Sequence, residues 1–165
     1  MIELSEIKNI LQRKLGNDCI VDENLEGLQP TLIVHRDYIL DVCRELRENN
    51  ETWFDFLSCI SGVDYGVNEG FGVVYHLASI PYKTQLTLKV KLENLRDTSV
   101  LPSVDSVSTV WQSANWHERE AYDLVGIFFK GHPDLRRILL PDDWRGYPLR
   151  KDYKDADAYH GIPIN

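Results

Sequence analysis

Four prolines after Phe129 set the limit on what this chain can build. Pro133, Pro141, Pro148 and Pro163 each fix φ and remove a backbone donor, which rules out a long helix or a central strand. The apolar period that would bury a core face also stops at Phe129. Residues 1–130 are therefore expected to form the globular domain. Residues 131–165 are expected as an extended arm, with Ile138–Leu140 able to add one short strand.

Ahead of the arm, local patterns give an order of elements. Ile2, Leu4, Ile7, Ile10, Leu11 and Leu15 recur at helical steps and stop at Gly16-Asn17, which predicts a first helix. Asp18–Asp22 and Thr31–His35 read as short strands. Asp37 is placed to cap a second helix that buries Ile39, Leu40, Cys43 and Leu46. Three strand-like runs follow, 54–64, 71–80 and 85–93. In the last of them Leu86, Leu88, Val90 and Leu92 alternate with Thr87, Lys89 and Lys91, the pattern of a strand with one buried face. The short connector Pro81–Thr84 suits an antiparallel hairpin, since a parallel crossover needs a dozen residues or more. From about Ser106, Val107, Val110, Ala114, Ala121 and Val125 predict a third helix that ends at Gly126. The order helix, two strands, helix, three strands, helix points to the α+β class. The expected architecture is a two-layer sandwich of helices on a mixed, largely antiparallel sheet, followed by the arm.

Several functions are excluded by what the chain carries. A net charge of −8 over 165 residues is opposite to the basic stripe of a nucleic-acid binder. No apolar run reaches the ~20 residues of a membrane span, and the first residues are expected to be an amphipathic helix carrying acids, with neither a signal nor a transit peptide visible. Cys19, Cys43 and Cys59 are odd in number and widely spaced, as expected for reduced thiols and not for a disulfide frame or a metal site. His117-Glu118-Arg119-Glu120 is followed by Ala121, so it is not a zinc-binding H-E-x-x-H. His132 and Asp134 lack a third ligand at a useful interval. The glycines of 66–72 lack phosphate-loop order.

The run from Trp111 to Tyr153 is dense in other chemistry. The helical stripe places Glu118 between Ala114 and Ala121, where a carboxylate needs a partner. Arg136 or Arg137 is the partner expected from the arm. In the arm, Trp144, Tyr147, Tyr153 and Tyr159 alternate with Arg136, Arg137, Arg145 and Arg150. Trp, Tyr and Arg are the residues that dominate protein interfaces, and an arm with no core of its own is expected to order on a partner. The plainer reading is a surface tail with local pairs such as Asp142 or Asp143 with Arg145, each contributing ~0–1 kcal/mol.

The run ANWHEREAYDLVGIFFKGHPDLRRILLPDDWRGYPLRKDY resembles the signature of the thirty-kilodalton subunit (the C subunit) of NADH:quinone oxidoreductase, respiratory complex I. Glu118-Arg119-Glu120, Asp123, His132, Arg136 and Arg137 carry the first part of the likeness. Trp144, Arg150, Lys151 and Tyr153 carry the second. The chain's length resembles the stand-alone subunit, not the form fused to the forty-nine-kilodalton subunit. The resemblance implies a structural and assembly subunit of the peripheral arm of a proton-translocating enzyme, without a catalytic, cofactor or metal site of its own. It implies docking on the forty-nine-kilodalton subunit (the D subunit) and neighbouring iron–sulfur subunits. Flavin and iron–sulfur clusters are expected only in those partners. The implied location is the cytoplasmic face of the bacterial inner membrane, reached indirectly through the complex. The equivalent subunit of a related membrane-bound hydrogenase or dehydrogenase complex is the alternative.

Overall fold

A computed structural model describes residues 2–25, 29–155 and 157–163. Helix α1 (Leu4–Leu15) starts in a reciprocal capping box between Glu3 and Glu6, and Gly16 closes it with φ 95°. Strands β1 (Ile20–Asn24) and β2 (Thr31–Val34) follow as an antiparallel pair. A 3₁₀ turn over Arg36–Tyr38 leads into helix α2 (Ile39–Glu48). His35, not Asp37, caps that turn, its ring accepting from the Asp37 amide. Strands β3 (Phe56–Gly66), β4 (Gly70–Ser79) and β5 (Thr84–Leu92) form a meander. They complete a five-stranded sheet of order β1-β2-β5-β4-β3. Only β2 and β5 run parallel; the other neighbours are antiparallel.

The sheet is mixed and largely antiparallel, as the strand patterns and the short 81–84 connector require. Its helix-facing side supplies Leu57, Ile60, Val73, Tyr75, Leu77, Leu86, Leu88 and Val90 to one continuous core. Leu4, Ile7 and Leu11 of α1 and Val42, Cys43 and Leu46 of α2 meet them there. Burying side chains of this size contributes roughly 1.5–3 kcal/mol each. Val42 takes the buried place on α2 that the sequence assigns to Leu40, which is only partly covered.

The third helix is shorter than its stripe suggests. Short strand β6 (Ser103–Asp105) pairs in parallel with β7 (Phe128–Lys130), and residues 106–113 form successive turns. Helix α3 begins only at Ala114 and ends at Val125. Val107, Val110 and Ala114 keep their three- and four-residue spacing because turns such as Trp111 N–H to Val107 O mimic it. Gly62 of β3 makes room for α3: a Cβ there would lie 3.1 Å from the Ala121 methyl and from Ile127. Beyond β7 a short antiparallel pair, β8 (Ala158–Tyr159) and β9 (Ile162–Pro163), is the only regular structure among the described residues. Ile138–Leu140 form bends, not a strand, because their amides are committed elsewhere. Among the described residues no helix is long and apolar enough to cross a membrane.

Candidate functional site

The signature residues converge where the arm runs back over α3. Asp123 is the centre. Its buried carboxylate accepts from three consecutive amides, Ile138 (3.0 Å), Leu139 (2.7 Å) and Leu140 (2.9 Å), and from the Arg137 guanidinium at 2.7 Å. Burial pushes this carboxyl upward, but the Leu140, Arg137, Leu139 and Ile138 bonds outweigh it and hold it below the usual range.

Three arginines then solve a problem that irregular backbone creates. A proline-rich segment cannot satisfy its carbonyls by a helix or a ladder, and a buried carbonyl left unpaired is costly. Arg119 donates to the carbonyls of Arg136 (3.2 Å) and Arg137 (3.1 Å). Arg137 donates to those of Asp123, Trp144 and Gly146, each at 3.0 Å. Arg150 donates to Val125 O at 2.7 Å and Gly126 O at 3.1 Å. The Arg150 guanidinium also lies between the Phe71 and Tyr147 rings, 4.8 Å from each centroid. Burial lowers its pKa. Gly126 permits this closure: its φ is 74°, and a Cβ would meet the Tyr147 ring at 2.6 Å.

The far end of the arm is fixed by groups the sequence did not single out. Asp64, at the end of β3, forms a two-point pair with Arg96 (2.6 and 2.8 Å) and accepts from the Lys151 amide at 2.8 Å. Burial opposes ionisation of Asp64, but the Arg96 pair and the Lys151 and Gly66 amides hold its pKa down at about 2. Lys151 Nζ reaches Tyr65 O at 3.2 Å. Tyr153 lies against Gly146, and its amide donates to Arg150 O. Trp144 stacks obliquely on Tyr159, 5.4 Å between centroids, and its buried indole N–H has no partner among the described residues.

Glu118 is a correction. It does not pair with Arg136 or Arg137. Its fully buried carboxylate accepts from Ser106 Oγ at 2.5 Å and from the Val107 amide at 2.7 Å. Arg137 is taken by Asp123, further along the helix, and Arg136 pairs with Asp134 at the surface. His132 lies 3.9 Å from Glu118. Its Nδ1 accepts from the Asp134 amide (3.0 Å), so Nε2 carries the proton and donates to Asn115 O (3.1 Å). Burial raises the Glu118 carboxyl to about 7, with the Ser106 and Val107 bonds working against it.

The arm's anchors therefore face inward. Arg137, Tyr147 and Arg150 hold the arm to its own domain. What faces outward is a ridge on α3 and the neighbouring arm. Trp116 is 63% exposed with the Arg119 guanidinium against its ring, Glu120 is exposed one turn on, and Leu124 is partly covered one turn further. Exposed Leu139 and Leu149 flank that end, tied by Leu139 N–H to Asp123 and Leu149 N–H to Leu124 O. Trp116 to Leu124 spans about 12 Å at about 1.5 Å per residue. Among the described residues no group of three or more His, Cys, Asp or Glu could hold a metal ion.

Residues 32–159 match the family described as respiratory-chain NADH dehydrogenase, 30 Kd subunit. The chain is 45% identical over 157 residues to the C subunit of NADH-quinone oxidoreductase from Chloroherpeton thalassium, spanning 94% of this chain and 62% of that relative, less than two thirds of it. It is 40% identical over 156 residues to the corresponding C subunit from Chlorobium phaeobacteroides, 94% of this chain and 92% of the relative. A chain in the structure of the membrane-bound sulfane sulfur reductase, an archaeal respiratory membrane complex, superposes with a TM-score of 0.71 at 25% identity, covering 91% of this chain and 84% of that one.

Proposed function

This chain belongs to the 30 Kd subunit family of respiratory-chain NADH dehydrogenase, and on that premise we propose that it is a structural and assembly subunit of the peripheral arm of a proton-translocating NADH:quinone oxidoreductase. In this reading it docks on the forty-nine-kilodalton subunit and neighbouring iron–sulfur subunits at the cytoplasmic face of the membrane. Flavin and iron–sulfur clusters belong to those partners, and this chain carries no catalytic group.

The observation that carries the reading is the division of labour in the signature. Arg119, Arg137, Arg150 and Asp123 are consumed in folding the arm back onto α3, which sets Trp116, Glu120, Leu139 and Leu149 on a firm outward ridge. An exposed tryptophan with a guanidinium against its ring has the chemistry of an interface anchor, since Trp and Arg are enriched at such sites. The arm, residues 131–165, thus contributes to docking by shaping the ridge, and the partner role passes from its arginines to its leucines.

The test is purification of the tagged chain from its own membranes in mild detergent, with mass spectrometry and NADH:quinone activity on the eluate. Co-purification of the forty-nine-kilodalton subunit with that activity is expected, and Trp116→Ala combined with Leu139→Asp should reduce it at least tenfold. A chain that elutes alone refutes the reading. The likeness to a chain of the sulfane sulfur reductase complex favours a second reading, the equivalent subunit of a related membrane-bound complex. Co-purification of that complex's large subunit, without NADH:quinone activity, would establish it.

A further inference from the structure

The sheet ends on one side at β3, and the outer edge of that strand is open over a definite length. Towards its start, Ser113 Oγ closes on Leu57 O at 3.5 Å. Towards its end, Lys151 Nζ occupies Tyr65 O, and Arg96 donates to Gly66 O. Between these two stops, residues 58–63 have no main-chain hydrogen bond beyond the β3–β4 ladder, among the described residues. The ladder is regular from Cys59 to Asp64, with irregularities only at Leu57/Cys59 and Asp64/Gly66. The open stretch is therefore about six residues, or about 20 Å.

Edges of this kind are usually defended by charge, proline or a covering segment. This one has none of the first two: from Phe56 to Val63 the sequence is FLSCISGV, without a charge or a proline. The β1 edge on the opposite side differs, since it reads IVDEN and carries two carboxylates. On the face away from the helices the side chains of the open stretch are small; on the other face the larger Ile60 is buried in the core. Cys59, Ser61 and Val63 alternate on one face, and Gly62 lies beneath α3 on the other.

We infer that the open edge of β3 accepts an extended segment of a partner subunit as a sixth strand. The recognition is by main-chain hydrogen bonds, and the small flanking residues select an uncharged segment of about the same length as the opening. Resting on the function proposed above, this contact is continuous with the α3 ridge, because Ser113 closes the slot immediately before α3 begins. A second copy of this chain is a poor occupant. Antiparallel pairing of two such edges would bring the Ser113 stop of each copy against the Lys151 stop of the other.

The test is amide hydrogen exchange on the isolated full chain and on the intact complex recovered from membranes, read at residues 58–63 and separately on α3 and Leu139. Alternate amides of 58–63 should exchange at least tenfold more slowly in the complex. Ser61→Lys should lower recovery of the complex at least tenfold while leaving the melting temperature of the isolated chain within a few degrees. Protection of α3 and Leu139 without protection of 58–63 overturns the strand addition and leaves the docking proposal standing. Protection at neither site refutes both. Equal protection of 58–63 in an isolated chain that runs as a dimer assigns the edge to a second copy and also overturns the inference.

Discussion

Glu118→Gln should change how stability depends on pH, and the size of the change follows from the buried site. The Glu118 carboxyl titrates at 4.5 in an unfolded chain and at about 7 in the folded one, chiefly through burial. Each pKa unit is worth about 1.36 kcal/mol. An acid whose folded pKa is raised keeps its full stabilising contribution below the unfolded value and loses it as pH rises through the folded value. The native state should therefore be about 3 kcal/mol less stable above pH 7 than below pH 4.5 on account of this one group. Among the described residues no neighbouring cation reverses the sign. The groups around it are Cys43 and Tyr75, both pushed upward by burial, Asp105, and a His132 whose Nδ1 is already occupied by an amide proton. Asp64 and Asp123 act in the opposite direction at lower pH, where their depressed pKa values lie. Glutamine can accept from the Val107 amide and donate to Ser106 Oγ without titrating. Urea denaturation of both proteins at pH 4, 5, 6, 7 and 8 should show the wild type losing about 3 kcal/mol relative to Glu118→Gln across the series. At this chain length that corresponds to roughly 6–12 °C in melting temperature. Parallel pH profiles would refute the reasoning, because they would mean that the carboxyl ionises in the folded protein as it does in water.

Other perturbations act on the arm. Asp123→Asn leaves Arg137 half-buried without its counter-charge and weakens the hold on three amides, so denaturation should show a loss of about 3–5 kcal/mol. Trypsin should then cut first at the arm's arginines. Gly126→Ala forces a Cβ into the left-handed region and into the Tyr147 ring; the expected cost is at least about 2 kcal/mol, with faster amide exchange at Leu149 and Arg150. Arg150→Lys keeps the charge but loses the planar fork and both ring contacts, so it should destabilise by about 2–4 kcal/mol in the same assay and not behave as a conservative change.

The elements with a strict period were legible in the sequence. Leu86 to Leu92 alternate because β5 turns one face to the helices and the other away from them, and the helical steps of α1 stop at Gly16 as read. The start of α3 was not legible, since consecutive turns reproduce helical spacing until the hydrogen bonds are seen. The partners of Glu118 are a hydroxyl and an amide on a turn well upstream, at Ser106 and Val107, and nothing in the residue types marks them. The same holds for the arginines. A guanidinium was expected to seek a carboxylate, yet most donors of Arg119, Arg137 and Arg150 end on backbone carbonyls, which carry no sequence signal. Arg96 and Asp64 are 32 residues apart and pair only because the β3–β4 and β4–β5 turns bring them together.

The parallel contact of β2 with β5 has a consequence for the order of events during synthesis. Thr31 waits for Thr87 and Leu32 for Leu88, so the β1–β2 hairpin has only itself to pair with until the long intervening stretch has emerged. Loop closure of that span must be completed before the pairing returns any free energy, which slows folding. A nascent chain halted before Thr84 exposes Leu32 and Val34 on an unpaired edge, and β3 and β4 form a second hairpin with no link to the first. Strand β5 is the keystone laid last: its arrival joins two separate hairpins into one sheet.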